Sequence, residues 1–406
     1  MIRYTLLLSC FGLFFSCQHE KSYREVEKGI ELRVEEGGFY TITALTDRII
    51  NIRYTDSITY SERDYASVLD SSVSFSISEY DNYIELKTNE TSVRIERDPV
   101  TVSFYDKKGD LKLREEEGYF RRKDTTGFRF YLSENEGIYG TGMRALPVNR
   151  RGFAYMNYNK PWYGYGYGAD ELNFNIPHLY SSNEFMLLID NPARAWFDIG
   201  KSDPDILEFS SLGGNMSYYF INGDDFKSLI DEYTTLTGKQ PLPPIWALGN
   251  FHSRFGYRNE MQARILLDQA LEAGYPVDVA VFDIYWFGPE IEDGQMGRLR
   301  WDRDNWPDPE GMIEDMHRKD INIVTVSEPF FTLRSGRFDY LAEKGYLATD
   351  SSGKSATIPD FYFGEAGLLD IFNPEAKAWM WEQYKRMKSA GVDGWWVDLG
   401  EPEKHP

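Results

Sequence analysis

Val279-Ala280-Val281-Phe282-Asp283 is an apolar run that stops on an acid, and the same pattern returns at Ile323-Val324-Thr325-Val326-Ser327-Glu328 and at Trp395-Trp396-Val397-Asp398. Runs of four or five apolar residues closed by a polar one read as strands buried on both faces, the habit of parallel sheets. Around them the sequence supplies helices. Residues 259–273 form an amphipathic stretch with Asn259 as N-cap, Gln262 as its capping partner and Gly274 just past the end. Residues 309–319 and 338–344 read as two more helices, and Asn373-Pro374 opens a further one that Gly391 closes. Strands are expected over 246–251, 278–285, 321–327 and 394–399, with a hairpin over 346–361. This alternation of strand and helix predicts a parallel α/β sheet, doubly wound or a (β/α)8 barrel. No glycine-rich phosphate loop follows the first strand, which lowers the dinucleotide-binding alternative. Four strands are half of a TIM-type barrel. Half a barrel leaves open apolar edges, so the expectation is either a natural protein that continues or a truncated gene product.

In parallel α/β sheets the ligand crevice lies at the C-terminal strand ends, so Asp283, Glu328 and Asp398 are predicted to share one mouth. Each acid alone reads equally well as a loop cap or a salt-bridge partner. Three together, with no His triad or Cys/His metal cluster among five scattered histidines, point to carboxylate chemistry. Retaining hydrolysis of a glycosidic bond needs two carboxyls, one ionised and one protonated. Trp396 lies two residues before Asp398, which puts an indole and a carboxylate on one face of their strand.

Upstream the rhythm is different. From about residue 29 to 122 the pattern alternates with period two between turn residues; Val100 to Leu113, turning at Asp106-Lys107-Lys108-Gly109-Asp110, reads as a hairpin. Repeated runs of this kind predict an N-terminal antiparallel β-sandwich over 23–240, followed by the first half of the barrel over 241–406. Pro241, Pro243 and Pro244 mark the linker. Residues 155–180 form a long loop dense in Tyr, Trp, Asn and Gly. Its acids Asp170 and Glu171 could reach a bound sugar, but a solvated loop is the favoured reading.

Aromatic content of 16%, with 28 Tyr and 10 Trp, suits a sugar binder, although many such rings must simply fill a sandwich core. A net charge of -21 repels phosphate backbones, which argues against nucleic acid and for a neutral partner. Both cysteines, Cys10 and Cys17, lie near the start, in a basic, apolar, then polar order that reads as a secretory signal over 1–17. Ser16-Cys17 is similar to a bacterial lipobox. It implies an exported lipoprotein of the cell envelope, anchored to the membrane only by lipid on Cys17; a plain cleaved signal is the alternative. No cofactor and no metal site are expected.

Several blocks carry a resemblance. Tyr233-Thr234-Thr235-Leu236-Thr237-Gly238-Lys239, Leu242-Pro243-Pro244-Ile245-Trp246-Ala247-Leu248-Gly249 and Ser253-Arg254 resemble the barrel entry of glycoside hydrolase family 31. Trp396-Val397-Asp398-Leu399-Gly400-Glu401-Pro402 resembles that family's nucleophile motif, with Leu399 for Met and Gly400 for Asn. The resemblance implies Asp398 as nucleophile of a retaining α-glucosidase acting on α-linked gluco-oligosaccharides. It also implies Trp396, Asp283, Ile284, Glu328 and Glu401 at the sugar, and an acid/base residue beyond Pro406. Tyr285 stands where many members carry Asp. Oligosaccharide 4-α-glucosyltransferase and α-xylosidase are the near alternatives; a surface glycan-binding lipoprotein without catalysis is the distant one.

Overall fold

The computed structural model describes residues 22–34, 37–56, 65–159, 164–172, 174–288 and 295–400. Cys10, Cys17 and Glu401 lie outside them. Contacts divide the chain into two units. One comprises Met1–Gly142, Pro147–Asn157 and Ile176–Lys239; the other Met143–Leu146, Tyr158–Asn175 and Gln240–Pro406.

The first unit is the expected antiparallel sandwich. One sheet has eight strands, with Ile49–Thr55 beside Met216–Asn222 at its centre, and the other has nine. The hairpin of Val100–Asp106 and Leu111–Arg121 forms as predicted, turning through Gly109 at φ 89°. Met216–Asn222 is buried at every position, which needs cover on both faces. Tyr218 and Phe220 meet the rings of Phe104, Phe128 and Phe130 at centroid separations of 4.2 to 6.2 Å. Tyr219 and Ile221 pack instead with Leu229 and Leu236 of a helix, Phe226–Thr237, absent from the expectation. Asp225 and Ser228 cap that helix reciprocally, and Gly238 at φ 96° ends it.

Within the sandwich core lies a carboxyl. Glu115 is 1% exposed and accepts from the Tyr218 hydroxyl at 2.8 Å and the Val102 N–H at 2.7 Å. Burial pushes it up to about 8, against both hydrogen bonds.

The second unit carries four parallel strands in the order β1 (Phe251–Arg254), β2 (Val279–Phe282), β3 (Asn322–Ser327) and β4 (Gly394–Val397). Helix α1 (Glu260–Glu272) follows β1 and α2 (Pro309–His317) follows β2, while α3 (Phe338–Glu343) and α4 (Pro374–Ser389) both lie between β3 and β4. The caps are those predicted at Asn259 and Asn373. Gln262, however, accepts from the Arg258 N–H rather than from that of Asn259. All four residues of β2 are buried, as a strand covered on both faces must be.

Several element boundaries differ from expectation, and β4 ends at Val397 instead of residue 399. Residues 245–248 form a 3-10 turn after Pro244, and β1 begins only at Phe251. β2 stops at Phe282 because the Asp283 carboxylate accepts from the Ile284 N–H at 2.7 Å and opens a 3-10 turn, Ile284–Phe287. The hairpin expected over 346–361 is only the bridge Thr349 to Ser355. Leu347 and Ile358 bridge to Leu369 and Ala366 instead, beside the ladder of Phe330–Thr332 with Ala366–Leu368.

Candidate active site

The strand register sets the site. Phe282 pairs with Thr325 and Ser327 with Val397, so Asp283, Glu328 and Asp398 leave β2, β3 and β4 at the same, C-terminal end. The Asp398 N–H continues the ladder to the Ser327 carbonyl at 2.8 Å, and its carboxylate accepts from the Leu399 N–H at 3.1 Å. Leu399 holds φ 50°, a left-handed turn that ends the strand.

The carboxyls sense one another. Asp283 is held above the ordinary carboxylate range chiefly by burial, opposed by the Ile284 N–H, with the charge of Asp398 raising it further. Glu328 is 3% exposed. The mouth therefore gathers carboxyls at one end of the sheet, one of them raised by burial and a neighbouring charge, and carboxyl groups are the functional groups that acid-base and covalent sugar chemistry both use.

Aromatic residues shape the surroundings. Trp395 turns to α4, with its ring 5.0 Å from Tyr384 and 6.2 Å from Trp381. Strand alternation puts Trp396 on the opposite face, where it is half-exposed. The Tyr384 hydroxyl lies 2.9 Å from that of Ser327, whose carbonyl holds Asp398. In the turn after Asp283 the indole of Trp286 donates to the Val326 carbonyl at 2.8 Å, and the indole of Trp306 donates to the Tyr285 carbonyl at 3.0 Å. Ile284 is buried in the same apolar cluster. Sequence reasoning did not single out Trp286, Trp306 or Tyr384. The density of rings in Tyr285-Trp286-Phe287, directly after Asp283, is the signal that marks the first of them.

Part of the aromatic loop is ordered by backbone bonds. Met143 donates to Phe174 at 3.0 Å and Ala145 to Ala169 at 2.9 Å, while the Arg144 guanidinium meets the Asp170 carbonyl. Glu171 is 8% exposed, contrary to its solvated reading, because the tied loop buries it with Leu172. Lys160, Pro161, Trp162 and Tyr163 lie outside the described residues.

Residues 240–406 match the glycosyl hydrolases family 31 TIM-barrel domain, and residues 40–198 the glycosyl hydrolase 31 N-terminal galactose mutarotase-like domain. The chain belongs to glycoside hydrolase family 31. Among family 31 relatives, alpha-xylosidase XylQ of Lactiplantibacillus pentosus is 31% identical over 66% of this chain and 34% of its own length. Alpha-glucosidase 2 of Bacillus thermoamyloliquefaciens is 26% identical over 81% of this chain and 42% of its own. The chain thus spans less than half the length of these curated relatives. A solved family 31 dextranase of Flavobacterium johnsoniae, complexed with glucose, superposes with a TM-score of 0.85 at 25% identity, covering 94% of this chain and 47% of that one. Among the described residues no group of three or more His, Cys, Asp or Glu is placed to hold a metal ion, and no helix is long and apolar enough to cross a membrane.

Proposed function

We propose that this chain carries the nucleophile of a retaining α-glucoside hydrolase. An oxygen of the ionised Asp398 carboxylate attacks the anomeric carbon as the bond from that carbon to the leaving oxygen breaks. The leaving oxygen takes a proton from a carboxylic acid supplied by the remaining barrel strands. Water then attacks the β-glycosyl ester, returns a proton to that carboxylate and releases a sugar of retained configuration. Trp396 forms a wall of the sugar site, and Asp283, Ile284, Glu328 and Glu401 position the ring.

The observation that carries this reading is the ladder bond from Asp398 to Ser327, which brings the motif's carboxylate level with Glu328 and within electrostatic reach of Asp283. The relatives named alpha-glucosidase and alpha-xylosidase support an α-glycoside substrate. Incubating the full-length protein with maltose and maltotetraose tests it: glucose released first as the α-anomer is expected. Longer oligosaccharides among the products would assign a glucosyltransferase, and turnover of α-xylosides alone an α-xylosidase. Inertness toward all of them would leave a glycan-binding protein. The proposal extends to location, as an envelope lipoprotein acylated on Cys17, supported by the order of basic, apolar and Ser-Cys residues at its start.

A further inference from the structure

The end of β1 brings two cations, Arg254 and Arg258, toward the mouth. β1 ends at Arg254, paired with Phe282, so the residues after it border those after β2. There the ring of Phe255, 60% exposed, tilts against Tyr285 at 5.6 Å, and the Arg258 guanidinium lies over the Tyr285 ring at 4.8 Å. Arg48, Arg94, Arg129 and Arg264 each meet a carboxylate. The guanidiniums of Arg254 and Arg258 form no ion pair among the described residues, in a chain with 65 acids against 44 Lys and Arg.

The stack on Tyr285 engages one face of the guanidinium. The N–H edge stays available, held in a plane by the stack, and that edge fits a carboxylate through two parallel hydrogen bonds. Strands lie about 4.8 Å apart, so the ends of β2 and β4 are roughly 10 Å apart across β3. A pyranose ring seated over β3 from Asp398 would reach the end of β2, next to the turn whose Tyr285 carries Arg258. A group on the far side of the ring from the anomeric carbon would then meet Arg258.

We infer that the site takes a gluco-configured terminal sugar bearing a carboxylate, a hexuronide, and that Arg258 stacked on Tyr285 reads that carboxylate. The inference deepens the hydrolase reading and rests on it for the ring's orientation. Binding separates the two, because it needs no turnover. Calorimetry of the full-length protein with glucuronate and with glucose should give at least roughly tenfold tighter binding of glucuronate, the ratio that about 1.4 kcal/mol of net pairing produces. Arg258→Met, which keeps an unbranched side chain on the ring, should erase that preference, Arg258→Lys should keep part of it, and added salt should shrink it. Equal binding of the two sugars, or a preference unchanged in Arg258→Met, overturns the inference whatever the protein hydrolyses. Hydrolysis of the 4-nitrophenyl α-glucuronide and α-glucoside is the parallel arm. Preferential binding without turnover of either would sink the hydrolase reading and sustain the role of Arg258.

Discussion

The backbone N–H of Asp398 donates to the carbonyl of Ser327 at 2.8 Å, one residue past the last paired position of β4. The carboxylate is therefore placed by a strand and not by a loop, which favours precise orientation. Loss of an attacking group removes the covalent path. Asp398→Ala in the full-length enzyme should cost on the order of a thousandfold or more in kcat, whereas Glu401→Gln should act mainly through positioning. A 5-fluoro glycosyl fluoride should label the peptide containing Trp396 to Leu399; label on Asp283 or Glu328 would overturn the assignment.

Tyr384 supports Asp398 at one remove, through the 2.9 Å contact of its hydroxyl with that of Ser327. Tyr384→Phe keeps the ring against Trp395 and removes only this bond, so about 1 kcal/mol of stability should be lost by urea denaturation. Turnover should fall by less than in Asp398→Ala. A fall of equal size would mean that Tyr384 takes part in the chemistry directly.

In the sandwich, Glu115 provides a pH signature. Its folded value of about 8 lies above its ordinary 4.5, so folding favours the protonated form. Its contribution is fully present below pH 4.5 and is lost as pH rises through about 8, with a slope of up to about 1.4 kcal/mol per pH unit. A Gln side chain accepts from Val102 and donates to the Tyr218 oxygen. Glu115→Gln should therefore flatten this part of the stability profile and be the more stable protein at pH 9. Parallel profiles for the two would show that Glu115 does not titrate in this range.

Cys17→Ser should release the protein from the membrane fraction. Unchanged partition into detergent would reject acylation at that residue.

The parts of this molecule legible in its sequence are those where one residue's neighbours along the chain also define its environment. Asp283 closes an apolar run and caps the next turn, so its place at a strand end can be read locally. The helix Phe226–Thr237 was not legible, since it exists to cover Tyr219 and Ile221, buried by a sheet whose layers only the fold defines. Glu115 opens a run of three glutamates of which it alone is buried, a difference that the run itself does not mark. A register irregularity between Arg129 and Phe130, where the partners jump from Gly118 to Glu115, accompanies its placement inside the sandwich. Trp286 bonds a carbonyl 40 residues away, and no local pattern encodes that choice.

The pairing of Ile49–Thr55 with Met216–Asn222 also sets an order of events during synthesis. The eight-stranded sheet cannot close until its central strand, near residue 222, has left the ribosome, and β1 begins only at Phe251. The sandwich therefore waits on contacts spanning some 165 positions, a slow, high-contact-order closure, while the parallel strands are still to emerge. Until then the face of Ile49–Thr55 is an unpaired edge. A translational pause far enough past residue 222 for that strand to have left the ribosome is where nascent-chain folding of this unit would first become detectable.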